Sequence, residues 1–143
     1  MHGPMINDVR IALLTQIGLP FVVHGRSTDV NLPYSWIDVN NRGAFERGTQ
    51  FLFDLGHRRI ALLNGLEHMD FAFRRRKGYE AGLQNNSLQA DPHLTALRSS
   101  VRYAGREAAD MLLSLISMPK GAPKTRLLEA ELIIGRSTGP APT

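Results

Sequence analysis

The chain has 143 residues, no cysteine, a formal net charge of +4 and a sequence pI near 10.0. Hydrophobic residues make up 43% and charged residues 21%, which excludes a disordered or acidic-tail protein. The absence of cysteine excludes disulfide frameworks, thiolate zinc sites and cysteine nucleophiles. No apolar stretch approaches the ~20 residues of a membrane helix and no signal peptide is recognised, so we expect a cytoplasmic protein.

The basic residues indicate contact with nucleic acid only weakly. All but three of the 17 are arginines, and they are scattered along the chain. A clustered basic stripe would be the stronger sign of a nucleic-acid surface.

The first part of the chain predicts a helix followed by two short strands. Residues 4–17 carry apolar side chains at helical spacing, and Gly18 is the expected C-terminal cap. The apolar stripe of this helix consists of Val9, Leu13, Leu14 and Ile17. The run 21–23 is wholly apolar and fits a buried parallel strand. A loop is predicted over 27–34 and a brief strand over 35–39.

The middle of the chain predicts a second helix, a strand and a third helix. Asn40 and Asn41 are good N-caps for a helix that Gly56 closes. Its apolar stripe consists of Ala44, Gly48, Phe51, Leu52 and Leu55. The run 60–63 predicts a buried strand, and residues 71–83 predict the third helix. Because helices and strands alternate with short connections, we expect an α/β fold with a parallel sheet.

The last part of the chain predicts one more helix and one more strand. Residues 84–100 carry no clear period, whereas 101–117 carry a helical stripe. Apolar and acidic residues alternate over 126–134, as in a half-exposed strand. The tail 135–143 carries no predicted element.

The third helix holds a basic residue inside its apolar face. At 100° per residue, Arg75 falls within an apolar arc of about 120°. The arc consists of Phe71, Ala72, Tyr79 and Leu83. A guanidinium directed toward an apolar interior is unfavourable unless its donors are satisfied. Three interpretations fit: a buried ion pair or a side chain that reaches water, a fork that grips ligand hydroxyls or a carboxylate, or a phosphate contact.

Polar residues follow the predicted strands at the sheet edge where α/β folds bind ligands. The segment His24-Gly25-Arg26 ends the first strand, and its glycine fits either a close approach to a ligand or an ordinary turn. Asn64-Gly65 ends the 60–63 run at the same expected edge, with Asp70 and Phe71 following.

The sequence contains no recognisable catalytic or metal-binding constellation. It lacks a G-x-S-x-G elbow, a phosphate-cradling P-loop and an H-E-x-x-H pair. The five histidines have no metal-ligand spacing, and the carboxylates do not pair on one face of an element. We therefore expect no enzyme, no cofactor and no metal.

Several sequence blocks occur in a fixed order and spacing. They are GLPFVV at 18–23, DVNNRGA at 38–44, LGHRRIALL at 55–63, RRKGYEAGL at 75–83, GREAA at 105–109 and LEAELIIGRST at 128–138. Together they resemble the effector-binding domain of the lactose-repressor/galactose-repressor (LacI/GalR) family of bacterial transcriptional regulators, and the resemblance covers most of the chain. The ending His24-Gly25-Arg26 is similar to that of a sub-branch of the family.

The resemblance implies a doubly wound parallel sheet of the type I periplasmic-binding-protein-like kind, in an incomplete bilobed domain. Residues 1–86 resemble part of the N-terminal subdomain, and 94–143 resemble the C-terminal helix, closing strand and tail. Between them, 87–93 stand where most of the C-terminal subdomain is expected. Either the chain is excised or internally deleted, or the sequence records parts of a longer protein. We favour the second, because a sheet without its central strands exposes edges and apolar faces.

The resemblance also implies a site and its partners. Arg75 falls where family members hold the effector's hydroxyl or carboxylate, and His24, Arg26, Asp70 and Phe71 are expected beside it. The effector, expected to be a sugar, closes two hinged lobes and thereby changes operator binding by a homodimer. No segment of this sequence resembles the family's helix-turn-helix, so no DNA-binding residue is assigned here. A periplasmic-type sugar-binding transport protein is the alternative.

Overall fold

The structure is a computed structural model that describes residues 1–86, 100–118 and 121–132. Its elements, in chain order, are α1 (Val9–Ile17), β1 (Val22–His24), β2 (Ser35–Val39), α2 (Asn41–Asp54), α3 (Asp70–Asn85), α4 (Val101–Ser117) and β3 (Thr125–Leu128). No helix in these ranges is long and apolar enough to cross a membrane.

The strands form one parallel sheet in the order β1-β2-β3. Val22 lies opposite Ser35, and Trp36 lies opposite Thr125. The first residues of the chain lie along the free edge of β1, where the His24 amide donates to the Met1 carbonyl at 2.8 Å. The α/β fold with a parallel sheet is therefore confirmed.

Two groups of apolar side chains hold the elements together. In the first, α4 packs on β1 and β2 through Met111 and Leu115, which contact Val22 and Ile37. The second lies between α2 and α3 and extends to the connection after α2. Its buried members are Leu52, Ile60, Tyr79 and Leu83. The helix pair and the sheet thus have separate cores.

The first helix differs from its predicted form. It begins at Val9 rather than at residue 4, because Asp8 caps it and the preceding residues bond to neighbouring segments. Most of the predicted apolar stripe faces solvent, with Val9 74%, Leu13 56% and Ile17 55% exposed, whereas Ile11 is fully buried. Helical spacing identified the helix but not the face that packs.

The run 60–63 is not a strand, although Ile60 and Ala61 are buried as predicted. β2 already pairs with β1 on one side and with β3 on the other, so neither of its edges is free. The run forms an extended connection instead, and the Tyr79 hydroxyl donates to the Ile60 carbonyl at 2.5 Å. The apolar residues of this run predicted its burial correctly, but a strand also needs a neighbouring strand to pair with, which the run itself cannot indicate.

The remaining predicted elements agree more closely with the structure. β2 and α4 have the predicted bounds, while α3 extends beyond 71–83 to Asp70–Asn85. β3 starts one residue earlier than predicted and ends at Leu128. The described part of the predicted strand keeps its alternation, since Leu128, Ala130 and Leu132 are less exposed than Glu129 and Glu131. Residues 87–99 and the predicted tail 135–143 lie outside the described residues.

The contact between α2 and α3 depends on two glycines. A methyl group at Gly78 would overlap the backbone carbonyl of Arg42, and one at Gly82 would lie 2.7 Å from the Thr49 Cβ. Because backbone cannot move aside as a flexible side chain can, only glycine at position 78 permits this approach. The approach fixes which residues of α3 reach the start of α2.

We expect Gly78→Ala to lower the free energy of unfolding by about 2–3 kcal/mol, as overpacking does in a rigid contact. Gly105→Ala is the matched control, because no neighbouring heavy atom lies within 4 Å of the added carbon on α4. That change should raise stability by about 0.5–1 kcal/mol, since alanine favours a helix over glycine. Urea unfolding measures both; an equal effect of the two substitutions would contradict the close contact.

A second prediction concerns Asp8, the buried N-cap of α1. Its carboxylate accepts from the Arg10 Nη2 at 2.6 Å and from the Met5 amide at 2.9 Å. The Arg10 hydrogen bonds are the largest cause that lowers the pKa of Asp8 to about 2. Because the Asp8 carboxyl ionises more readily in the folded chain, it stabilises the fold at pH values above its ordinary pKa near 3.8. This contribution disappears as the pH falls toward 2.

Asp8→Asn should therefore reduce the free energy of unfolding at pH 7 by about 2 kcal/mol. The difference from the unsubstituted chain should shrink between about pH 4 and pH 2. Unfolding curves measured across that interval test the sign. Asp110→Asn, on an exposed position of α4, is the control and should change little at any pH. A pH-independent loss in Asp8→Asn would rule out the ionic contribution.

Candidate functional site

A cavity of about 410 Å³ opens where the carboxyl ends of β1 and β2 meet the start of α2. Its volume lies within the range of small-molecule sites. The polar side chains of its wall are His2, His24, Arg26, Asp38, Asn41 and Arg75. The wall therefore brings together polar groups from the first residues of the chain, from the carboxyl ends of β1 and β2, and from α2 and α3.

Arg75 projects from α3 to this cavity in a fixed environment. Its Nε donates to the Asn41 Oδ1 at 3.0 Å. Its guanidinium carbon lies 4.8 Å from the Phe71 ring centroid and 5.3 Å from that of Phe45. Two aromatic contacts and one hydrogen bond hold the plane of the guanidinium, so its orientation is set before any ligand binds.

No carboxylate of the described residues forms an ion pair with Arg75. Burial is the main cause that lowers the pKa of Arg75 from its ordinary value, and the charge of Asp38 acts in the opposite direction. The side chain stays a cation, because arginine remains protonated at any physiological pH. The sequence left three interpretations of Arg75 open, and the first of them included a buried ion pair. Among the described residues, Arg75 forms no such pair.

Arg26, by contrast, has a carboxylate partner. Its Nε donates to the Asp38 Oδ2 at 3.0 Å, and its guanidinium lies 4.8 Å from the Trp36 ring centroid. Asp38 is 4% exposed, and burial raises the pKa of its carboxyl although the Arg26 hydrogen bond lowers it. The Arg26–Asp38 pair is therefore close to neutral as a unit and presents both donors and acceptors at the cavity.

The two histidines of the cavity wall contact each other. The Nδ1 atoms of His2 and His24 lie 2.7 Å apart, and the rings stack with centroids separated by 4.8 Å. Burial is the first cause that lowers the pKa of His24, and the nearby His2 adds to it. His24 comes from the end of β1, whereas His2 comes from the segment that pairs along the same strand.

Of the five residues predicted for the site, the structure brings four to the cavity and places the fifth elsewhere. His24, Arg26, Phe71 and Arg75 line it. Asp70 does not: it is 1% exposed, accepts from the Thr28 amide at 2.5 Å and pairs with Arg74 at 2.5 Å. Asp70 is the first residue of α3, and its carboxylate anchors the helix to the loop after β1.

Sequence reasoning missed three polar members of the wall: His2, Asp38 and Asn41. Asp38 had a usable signal, since it is a charged residue inside an otherwise buried strand. Asn41 was assigned to helix capping, but Asn40 makes the cap by accepting from the Gly43 amide at 3.1 Å. His2 carried no signal, because its place depends on a pairing with β1 that no periodicity predicts.

No cluster of three or more histidine, aspartate or glutamate side chains in the described ranges has the arrangement of a metal site. The cavity's groups are suited to hydrogen bonding. Two guanidinium groups, two imidazoles, one carboxylate and one amide offer donors and acceptors around an apolar floor that includes Phe71 and Met69. This is the composition expected for recognition of a polar small molecule.

The sequence matches the family model of a periplasmic binding protein-like domain over residues 81–138. The HTH-type transcriptional regulator AglR of Rhizobium meliloti (strain 1021) is 48% identical over 88 residues, covering 62% of this chain and 25% of the relative. The HTH-type transcriptional regulator RafR of Escherichia coli is 37% identical over 113 residues, covering 79% and 33%. The chain thus spans a quarter to a third of the length of these curated relatives.

Solved structures share the fold. A regulatory protein of the LacI family from Chloroflexus aggregans superposes with a TM-score of 0.82 at 18% identity, over 96% of this chain and 75% of that one. The complex of the transcriptional regulator CelR with cellobiose also gives 0.82, at 19% identity, over 94% and 63%. The fold is thus periplasmic-binding-protein-like, and the relatives named here are transcriptional regulators rather than enzymes or transport proteins. These findings confirm the resemblance predicted from the sequence: the chain is similar to helix-turn-helix transcriptional regulators of the LacI/GalR kind, and it carries part of a periplasmic binding protein-like domain.

Proposed function

We propose that the chain is the effector-sensing part of a DNA-binding transcriptional regulator and that its cavity binds a small saccharide. The observation that carries the proposal is the state of Arg75. Its guanidinium is held by Asn41 and two aromatic rings at a cavity wall, and it has no ion-pair partner among the described residues. A preorganised fork of this kind matches vicinal hydroxyls, which accept two parallel hydrogen bonds.

The ligand class follows from the whole wall. Arg26 and Asp38 neutralise each other, so the wall offers both donors and acceptors, with little net charge beyond Arg75. A saccharide carries hydroxyls that donate and accept at the same time, and it therefore satisfies such a wall better than an ion of either sign. The CelR structure contains cellobiose, which supports a sugar as the ligand of a related fold.

In this proposal His24, Arg26, Phe71 and Arg75 contact the effector. Asp70 acts through the position of α3, because its carboxylate bonds to Thr28 and Arg74 and does not reach the cavity. Effector binding stabilises one of two domain arrangements, and DNA affinity changes because the arrangements differ in how they present the DNA-binding segments. The same proposal assigns residues 1–86 to the N-terminal subdomain and residues 94–143 to the C-terminal elements, with 87–93 as the junction between them.

The wider setting is also proposed from the relatives. Their names describe helix-turn-helix regulators, so operator DNA is the second partner, bound by a segment of that kind in a cytoplasmic homodimer. The part described here acts by binding, without catalysis. A transport-type sugar-binding protein shares the fold, but the relatives named above are regulators, which favours the regulatory function.

Arg75→Ala tests the proposal directly. If cellobiose and a panel of related neutral sugars are titrated calorimetrically, we expect saturable binding by the unsubstituted chain. Loss of a charged donor pair should weaken the affinity about 10- to 100-fold, because hydrogen bonds to a charged group contribute about 1.5–3 kcal/mol. Arg75→Lys should restore little, since an ammonium cannot reproduce the fork.

The control is Arg106→Ala, which removes an exposed arginine of α4 outside the cavity and should leave the affinity unchanged. Circular dichroism of each variant verifies that the fold persists. Equal affinity of Arg75→Ala and the unsubstituted chain would refute the role of Arg75, and no binding of any neutral sugar would refute the ligand class.

A further inference from the structure

The stacked histidine pair of the cavity wall has a property that neither ring has alone. The His2 and His24 Nδ1 atoms are 2.7 Å apart, which is hydrogen-bond distance. A hydrogen bond between two imidazole nitrogens requires that one carries the proton and the other accepts it. The two rings must therefore adopt different tautomers whenever both are neutral.

The tautomers determine what the pair offers on its outer side. In the ring with Nδ1 protonated, Nε2 has a lone pair and accepts. In the ring whose Nδ1 accepts, the proton resides on Nε2, which donates. The neutral pair thus offers one donor and one acceptor. Neither Nε2 atom forms a hydrogen bond with another of the described residues. A single hydroxyl, or two adjacent ones, satisfies both groups.

The charges around the pair favour its neutral form. Burial is the main cause that lowers the pKa of His24, protonation of His2 lowers it further, and Asp38 raises it. Arg26 and Arg75 are the other charged side chains of the wall, and Arg26 is already paired with Asp38. Adding a proton creates an imidazolium–imidazole pair whose outer nitrogens are both donors, and a second proton removes the hydrogen bond between the rings.

We propose that the His2–His24 pair contacts the ligand directly and selects a neutral, hydroxyl-bearing molecule over an anion. The inference rests on the proposed function and assigns a second recognition element, besides Arg75, to the same cavity. An ionised carboxylate has only acceptors, so the pair can bind that group with both outer nitrogens only after taking up a proton. A neutral saccharide needs no proton uptake, since its hydroxyls both donate and accept.

Two signatures distinguish the pair from an inert part of the wall. The affinity for a neutral sugar should fall as the pH is lowered through the reduced pKa of His24, because the acceptor is lost. Binding of an acidic sugar should be accompanied by uptake of about one proton, which calorimetry detects as a dependence of the observed enthalpy on the buffer's ionisation enthalpy.

The experiment uses the intact chain with cellobiose as the neutral probe and glucuronate as the anionic probe. His2→Phe and His24→Phe keep a ring of similar size and remove its nitrogens. Each should weaken cellobiose binding about fivefold to tenfold, the equivalent of about one hydrogen bond. The double variant should be little weaker than either single one, because the pair acts as a unit. His68→Phe, an exposed histidine outside the cavity, is the control.

Nitrogen-15 spectra of the imidazole rings supply a readout that does not depend on the variants folding. On addition of cellobiose to the unsubstituted chain, the Nε2 signals of His2 and His24 should shift while those of His68 should not. Cellobiose binding that leaves both signals and both single variants unaffected would overturn the inference but leave the proposed function intact. Tighter binding of glucuronate without proton uptake would also overturn it. If neither cellobiose nor glucuronate binds, the proposed function and this inference are both contradicted.

Discussion

The direct backbone contact between α2 and α3 is the constraint on which the site depends. Gly78 allows the two helices to meet at Arg42, and Gly82 repeats the approach one turn later, next to Thr49. Arg75 lies one turn before Gly78, so this contact brings its guanidinium within 3.0 Å of the Asn41 side chain. A wider helix separation would break that hydrogen bond, and the cation would then have to reach water or find another partner.

The local parts of this architecture could be predicted from the sequence, because they depend on neighbouring residues. Asn40 capped α2 and Gly18 ended α1 as expected, and the wholly apolar run before His24 formed a parallel strand. The parts that failed depend on distant partners. The strand expected at 60–63 does not pair with β2, because β3, from far along the chain, occupies the second side of β2.

The same distinction applies to the site. Arg75 stood out because a cation within an apolar arc is unusual, and this unusual position can be recognised from the sequence of one helix alone. Asp70 was expected in the cavity because of its place after the second apolar run, but its carboxylate turns to Arg74 and the Thr28 amide. His2 reaches the wall only because the start of the chain lies beside β1. Spacing along one element predicts faces, whereas the cavity is built from elements that meet only in three dimensions.

The pairing of Arg26 with the indole of Trp36 has a practical consequence. Trp36 is the single tryptophan of the chain, and the guanidinium over its ring belongs to a side chain of the cavity wall. A cation near an indole changes the energy of its excited state, so under the proposed function a shift of Arg26 on ligand contact would alter the emission of this one fluorophore. The protein therefore contains an intrinsic optical probe at the cavity, and its occupancy can be followed in solution without any label.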